Sequence, residues 1–277
     1  MGLDRYFHPK SVRFAPSKIT TYSSNPEWEI PPLSPREKQP ITEILSQKFT
    51  YLDKGSQSYV FVSEDQKYVL KFLKQGKLHP QTWLAYIPFS FNPYYKEFLA
   101  LQEKLRRTYQ AQKIAFTEFK EQTGLLYVHL NRTHHLNKNI VLIDKKGKKH
   151  TLSLDNACFS LQKKADLFYP QLQSMLQQND IEGVKKVISS LFCLVDCFVK
   201  KGVADHDPIM KKNFGLIENQ VIQFDIGRMR LDPRRLTPSE YQQRIGKLTN
   251  SLKKWITINS PELLPYYEQN LKFYSGV

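Results

Sequence analysis

No run of about 18 consecutive apolar residues occurs anywhere in this 277-residue chain, so no segment reads as a membrane-spanning helix. The first ten residues, MGLDRYFHPK, hold no apolar stretch of the kind a secretory leader needs. Gly2 follows Met1, but Tyr6 stands where a myristoylation signal carries a small hydroxyl residue. Cysteine is scarce. Cys158, Cys193 and Cys197 form an odd, sparse set that excludes a disulfide framework and fits a reducing compartment. Cys193 and Cys197, on an apolar segment, are expected in the core. The Gly-x-x-x-x-Gly-Lys loop of Walker-type NTPases is missing, as is the nucleophile elbow of Ser/His/Asp hydrolases. There is no internal repeat. The expected location is cytoplasmic, with delivery by a leaderless route left open.

What the chain has in excess is positive charge. Its 41 Lys and Arg against 26 Asp and Glu leave a formal net charge of +15. That balance favours acidic partners: nucleotides, nucleic acid, anionic lipid or an acidic protein. The 40% hydrophobic content suffices for a buried core, and the length suits one two-lobed domain or two small ones.

Residues 1–40 read as an extended arm, because prolines recur at Pro9, Pro16, Pro26, Pro31, Pro32, Pro35 and Pro40. Trp28 and Ile30 are its candidate tethers. Residues 41–135 read as a strand-rich lobe. Tyr59, Phe61 and Ser63 alternate with Val60, Val62 and Glu64, and Glu64-Asp65-Gln66 suits a turn. A segment from Tyr94 onward carries Phe98, Leu101 and Leu105 at helical spacing. Strands are expected around IAFTEF (114–119) and LLYVHL (125–130). Residues 136–277 read as a hairpin, with Gly147 in its turn, followed by a helical lobe. Asn179 and Glu182 resemble a capping box at the start of a central apolar helix, and Gly202 stands at its C′ position. Thr237, Pro238 and Glu240 signal another helix start, after which Leu252 and Trp255 are expected to face inward.

Three segments carry the candidate chemistry. In the first, Asp53-Lys54-Gly55-Ser56-Gln57-Ser58-Tyr59-Val60 is a small-residue turn between strands, where backbone N–H groups can approach phosphate oxygens, and Lys71 follows on the next strand. The second runs from Gly202 through Asp205, His206, Asp207, Lys211 and Lys212 to Asn213. The third is a β-branched strand ending in Asp225-Ile226-Gly227. A short turn at Glu218-Asn219-Gln220 is expected to set Asn213 and Asp225 side by side. Their amide and carboxylate oxygens are hard donors suited to Mg²⁺ when a nucleotide supplies the remaining ligands.

In this order the segments resemble the protein-kinase-like superfamily over roughly residues 45–277. The resemblance implies an α+β, two-lobed protein-kinase-like fold, with an antiparallel-sheet N-lobe and a reduced, mainly helical C-lobe. It implies ATP and Mg²⁺ as cofactors. Gly55, Ser56, Ser58 and Val60 match the nucleotide-covering loop. Lys71 matches the phosphate lysine and Glu97 its helix partner, with Glu103 as fallback. Asp207 matches the catalytic aspartate, with Asp205 as the alternative, and Asn213 and Asp225 match the metal ligands. The function implied is an atypical phosphotransferase acting on an unknown small-molecule or protein acceptor.

The departures are definite. Asp53 replaces a loop glycine, Asp207 stands one residue too far from Asn213, and no Ala-Pro-Glu or long activation segment follows Gly227. A catalytically impaired pseudokinase scaffold and a basic nucleic-acid or anionic-surface binder therefore stay open. His134-His135 reads as a polar linker, since zinc needs two further ligands. The aromatics Trp83, Tyr86, Phe89, Phe91, Tyr94 and Tyr95 either stack bases or pack on the N-terminal arm.

Overall fold

The computed structural model describes residues 14–21, 24–75, 93–205, 209–232, 234 and 236–275. It is an α+β structure with a many-stranded sheet and a helical part, as expected. In chain order the elements are α1 (Pro35–Ile44), β1 (Lys48–Lys54), β2 (Ser58–Ser63), β3 (Tyr68–Leu73), α2 (Pro93–Glu118), α3 (Lys120–Thr123) and β4 (Leu125–His129). Then come β5 (Asn139–Ile143), β6 (Lys149–Ser153), β7 (Phe159–Lys163), β8 (Asp166–Leu167), α4 (Phe168–Gln177) and α5 (Ile181–Lys200). The rest are β9 (Val203–Asp205), α6 (Met210–Asn213), β10 (Phe214–Ile217), β11 (Gln220–Gln223), β12 (Met229–Leu231), α7 (Pro238–Asn259) and α8 (Leu264–Ser275). One seven-stranded sheet runs in the order β4-β7-β3-β2-β1-β5-β6. No described helix is long and apolar enough to cross a membrane.

The chain divides into two compact units. The first comprises Met1–Glu64, Leu70–Gln102 and His129–Phe159, and the second Asp65–Val69, Glu103–Val128 and Ser160–Val277.

In the first unit β1 pairs antiparallel with β2, with a register shift between Tyr51 and Asp53, and parallel with β5. The hairpin β5–β6, which the sequence grouped with the helical half, thus joins the sheet. On β2 Tyr59, Phe61 and Ser63 are buried, and so is Val62 on the other face, so the expected alternation holds only in its first half. In the described part of the arm the tether differs from the expected one. Trp28 and Ile30 are half-buried, whereas Phe14 and Ile19 are buried. The Phe14 ring lies edge-on to Tyr59, Phe61 and His150 at 5.3, 5.1 and 5.4 Å, and Phe61 in turn to Phe72 at 5.9 Å. Each such side chain contributes about 1.5–3 kcal/mol by leaving water.

A buried polar chain ties the loop after β4 to the residues before β7. His129 Nδ1 donates to the Ala157 carbonyl at 2.7 Å, and Nε2 lies 2.9 Å from Thr133 Oγ1. Thr133 Oγ1 donates to Asp155 Oδ1 at 2.7 Å, and the Asp155 carboxylate also accepts from the N–H groups of Leu136 and Asn137. Burial pushes the His129 pKa down. Burial works to raise that of Asp155, but its three donors prevail and hold it below the usual carboxylate range.

In the second unit α5 is the central helix, burying Val184, Val187, Ile188, Leu191, Phe192, Val195 and Val199. Its N-cap is Asp180, whose Oδ1 accepts from Gly183 N–H at 2.8 Å; Asn179, expected as the cap, sits one residue earlier with φ +57°. Gly202 has φ +70°, as a C′ glycine should, and a Cβ there would meet the Asp232 carbonyl at 2.4 Å. The Thr237–Glu240 capping box is present. Leu252 is buried, while Trp255 is half-buried against Tyr169 at 5.6 Å.

Two expectations fail in this unit. IAFTE is helical and Phe119 follows it, because Ala111, Ala115, Phe116 and Phe119 are buried at helical spacing. Cys193 is exposed and Cys197 only partly buried, because the buried stripe of α5 passes through their neighbours Phe192, Leu194, Val195 and Phe198.

Candidate functional site

The expected residues fall into two sets, one in each unit. In the first unit, Gly55 and Ser56 lie exposed in the turn between β1 and β2, and Ser58 and Val60 are half-buried on β2. Lys71 is half-buried on β3. Strand alternation separates Val60 and Lys71 from Phe61 and Phe72, whose rings meet on the opposite face, so Val60 and Lys71 share the face that Phe14 does not cover.

The turn is tied down by Lys74, which sequence reasoning missed. Its ammonium donates to the carbonyls of Gly55 and Ser56, the latter at 3.3 Å, and lies 5.0 Å from the centre of the Tyr59 ring. Its backbone N–H donates to the Gln57 carbonyl at 2.9 Å. A turn fixed from its carbonyl side is one whose N–H groups can face an anion. Asp53, the residue out of place beside phosphate, is exposed and accepts from its own neighbour, Lys54 N–H, at 2.7 Å. Burial, and secondly the charge of Lys54, lower the Lys18 pKa, which marks these two as neighbouring cations.

In the second unit the hairpin β10–β11 pairs Phe214 with Gln223 and closes at Glu218-Asn219. This register brings Asn213 and Asp225 together. The Asn213 carbonyl accepts from Phe224 N–H at 2.9 Å and from Asp225 N–H at 3.3 Å. Asn213 is 7% exposed, whereas Asp225 is exposed and its Oδ1 accepts from Gly227 N–H at 3.4 Å. The chain then turns and β12 pairs with β9, setting the backbone of Asp205 opposite Met229. Lys211 and Lys212 are exposed.

Two buried glutamines complete this set, and neither was anticipated. Gln162 on β7 donates through Nε2 to the carbonyls of Thr123 and Phe224, the latter at 3.3 Å. Gln223 donates through Nε2 to the Asp225 carbonyl at 3.2 Å. The available signal was a glutamine inside the apolar strand FSLQK, since an unpaired amide is rarely left in a core.

Asp207 lies outside the described residues, as do Trp83, Tyr86, Phe89 and Phe91. Glu97 lies on α2 and Asp205 on β9, with their side chains, like those of Tyr94 and Tyr95, outside the described set. The fallback Glu103 is engaged on its own helix, by Arg106 Nε at 2.7 Å and by Arg107 Nε at 2.5 Å; hydrogen bonds from these arginines pull its pKa down to about 2. His134 and His135 are both exposed. No group of three or more His, Cys, Asp or Glu side chains suited to a metal occurs among the described residues. Asn213 and Asp225 are two oxygen donors, which fits a hard cation whose other ligands come from phosphate and water.

No family model matches the chain, and no curated protein matches it in sequence. Among solved structures it is similar to a crystal structure of WbdD at 15% identity and a TM-score of 0.36, covering 80% of this chain and 45% of that one. A co-crystal structure of WbdD with the kinase inhibitor LY294002 matches at 14% identity and a TM-score of 0.35, over 80% and 45% of the two chains. A structure described as the bifunctional kinase-methyltransferase WbdD matches at 15% and 0.33, over 78% and 43%. This chain spans under half the length of those WbdD chains, and at such scores the likeness carries no argument of its own.

Proposed function

We propose that this protein is an ATP-dependent phosphotransferase of atypical protein-kinase-like type. The observation that carries the reading is the register of β10–β11, which sets an amide-bearing and a carboxylate-bearing residue, Asn213 and Asp225, on adjoining backbone. The tied turn at Gly55–Gln57 and Lys71, half-buried on β3, support it from the first unit.

In this reading Asn213 and Asp225 hold Mg²⁺, while Lys71 and the turn N–H groups hold phosphate. Ser58 and Val60 flank the nucleotide, Glu97 orients Lys71, and Asp207 or Asp205 orients the acceptor hydroxyl. Mg²⁺·ATP supplies the transferable phosphoryl group and neutralises its charge. The protein's share is to position the reactants and stabilise the developing charge. The acceptor is a small molecule or a protein.

The test is transfer of radiolabelled γ-phosphate from ATP by the purified chain, to itself or to an added acceptor, with Asp225→Ala as control. Transfer that Asp225→Ala abolishes supports the reading, and transfer that it leaves unchanged refutes the assignment of Asp225. Magnesium-dependent ATP binding without transfer would make the protein a nucleotide-binding pseudokinase.

A further inference from the structure

We infer that Gln162 is a positioning residue for Asp225, acting through the Phe224–Asp225 peptide; this rests on the metal-holding role proposed for Asp225. The geometry is specific. Asp225 is exposed, and an exposed carboxylate on a loop after a strand ordinarily samples many orientations. Here its backbone is held from both sides. On one side the Asn213 carbonyl accepts from the N–H groups of Phe224 and Asp225. On the other, Gln162 Nε2 donates to the Phe224 carbonyl, the oxygen of the same peptide unit whose N–H belongs to Asp225. Gln223 then takes the next carbonyl, that of Asp225 itself.

Gln162 is 2% exposed and Gln223 1%. A primary amide buried this far is retained at a cost unless it is hydrogen-bonded, and the one amide nitrogen of Gln162 serves two carbonyls. Its second acceptor, the Thr123 carbonyl, belongs to the residue before Gly124. Gly124 has φ +67°, and a Cβ there would meet Ile222 Cδ1 at 3.0 Å and Ile217 Cδ1 at 3.3 Å. The corner after α3 is therefore seated against the β10–β11 hairpin, and the Lys163 N–H donates to the Gly124 carbonyl at 2.8 Å. One side chain thus links β7, this corner and the residue preceding Asp225. The peptide plane is fixed, while the exposed Asp225 carboxylate makes a long hydrogen bond, 3.4 Å, with the Gly227 N–H.

Gln162→Met, of similar length but without a donor, removes the amide donor to both carbonyls while keeping the strand packed. Two readouts are needed on the full chain. The first is the affinity for ATP with and without Mg²⁺. The expected result is about a tenfold loss of the Mg²⁺-dependent enhancement, with Mg²⁺-free affinity unchanged. A glutamine that merely supports the fold would lower the melting temperature without changing that ratio, and an unchanged ratio overturns the proposal. The second readout is hydrogen exchange at the amides of Phe224 and Asp225 without ligand. Slow exchange in the wild type and faster exchange in Gln162→Met are expected. Rapid exchange in the wild type overturns the pinning whether or not the variant folds. If the wild type binds no ATP while exchange behaves as expected, the proposed function fails and the positioning of Asp225 by Gln162 stands.

Discussion

The N–H of Asp225 donates to the carbonyl of Asn213 at 3.3 Å, so two residues well apart in the sequence share one hydrogen-bonded junction beyond the β10–β11 hairpin. The junction follows from register: Phe214 faces Gln223, and the residues just outside that pair are forced together. Replacing the Asn213 side chain tests whether the junction serves a metal. Asn213→Leu should lower ATP affinity about tenfold in the presence of Mg²⁺, or about 1.4 kcal/mol, and leave Mg²⁺-free affinity unchanged. Calorimetric titration separates the two conditions, and equal losses in both would point to a folding defect.

The turn between β1 and β2 gives an independent test. Lys74→Met removes the cation that ties the Gly55 and Ser56 carbonyls. Each exposed hydrogen bond lost costs about 0.5–1.5 kcal/mol at most, so the melting temperature should hardly move. ATP affinity should fall several-fold because the turn must then be ordered by the ligand. Unaltered affinity would show that the turn does not meet phosphate.

The polar chain from His129 through Thr133 to Asp155 should dominate the stability of its loop. Asp155→Ala takes the carboxylate acceptor from the N–H groups of Leu136 and Asn137 and leaves the Thr133 hydroxyl to His129 Nε2. The expected cost is about 3 kcal/mol, read from urea denaturation. A loss below about 1 kcal/mol would mean that water replaces the carboxylate freely.

Acid sensitivity has an identifiable contributor in the β5–β6 turn. His150 Nε2 lies 3.0 Å from Asp144 Oδ2, and the N–H groups of Lys146 and Lys148 donate to Oδ1. The hydrogen bond from His150, and then those two N–H groups, pull the Asp144 pKa down to about 2. Its unfolded value lies near 3.9, so its contribution is complete above about pH 4 and is lost as pH falls toward 2. Asp144→Asn should lower the urea midpoint at neutral pH and flatten its pH dependence within that window. An identical slope in both proteins would contradict the assignment.

Much of the fold was legible because local signals and tertiary packing agree. Tyr59, Phe61 and Ser63 are buried, Gly147 and Gly202 take positive φ, and Thr237 and Glu240 form their capping box. The turn at Glu218-Asn219 was equally readable, and with it the meeting of Asn213 and Asp225. Where apolar residues were dense, periodicity misled. IAFTEF has strand-like composition, yet burial at helical spacing with Ala111 makes IAFTE helix. Cys193 was expected inside because it lies on an apolar segment and free cysteine is usually buried, yet it falls off the buried stripe of α5. Gln162, Gln223 and Lys74 were illegible for another reason. Each acts through backbone carbonyls, in the case of Gln162 and Lys74 far along the chain, and a carbonyl leaves no mark in a sequence.

The most direct measurement is a thermal-shift titration with ATP, with and without Mg²⁺, on the wild type and on Lys71→Ala and Asp225→Ala. The expected result is a Mg²⁺-enhanced rise in melting temperature for the wild type. Asp225→Ala should lose the enhancement alone, and Lys71→Ala should lose most of the rise under both conditions. A wild type that ATP does not stabilise, or variants that respond just as it does, would contradict a nucleotide site built on Lys71, Asn213 and Asp225.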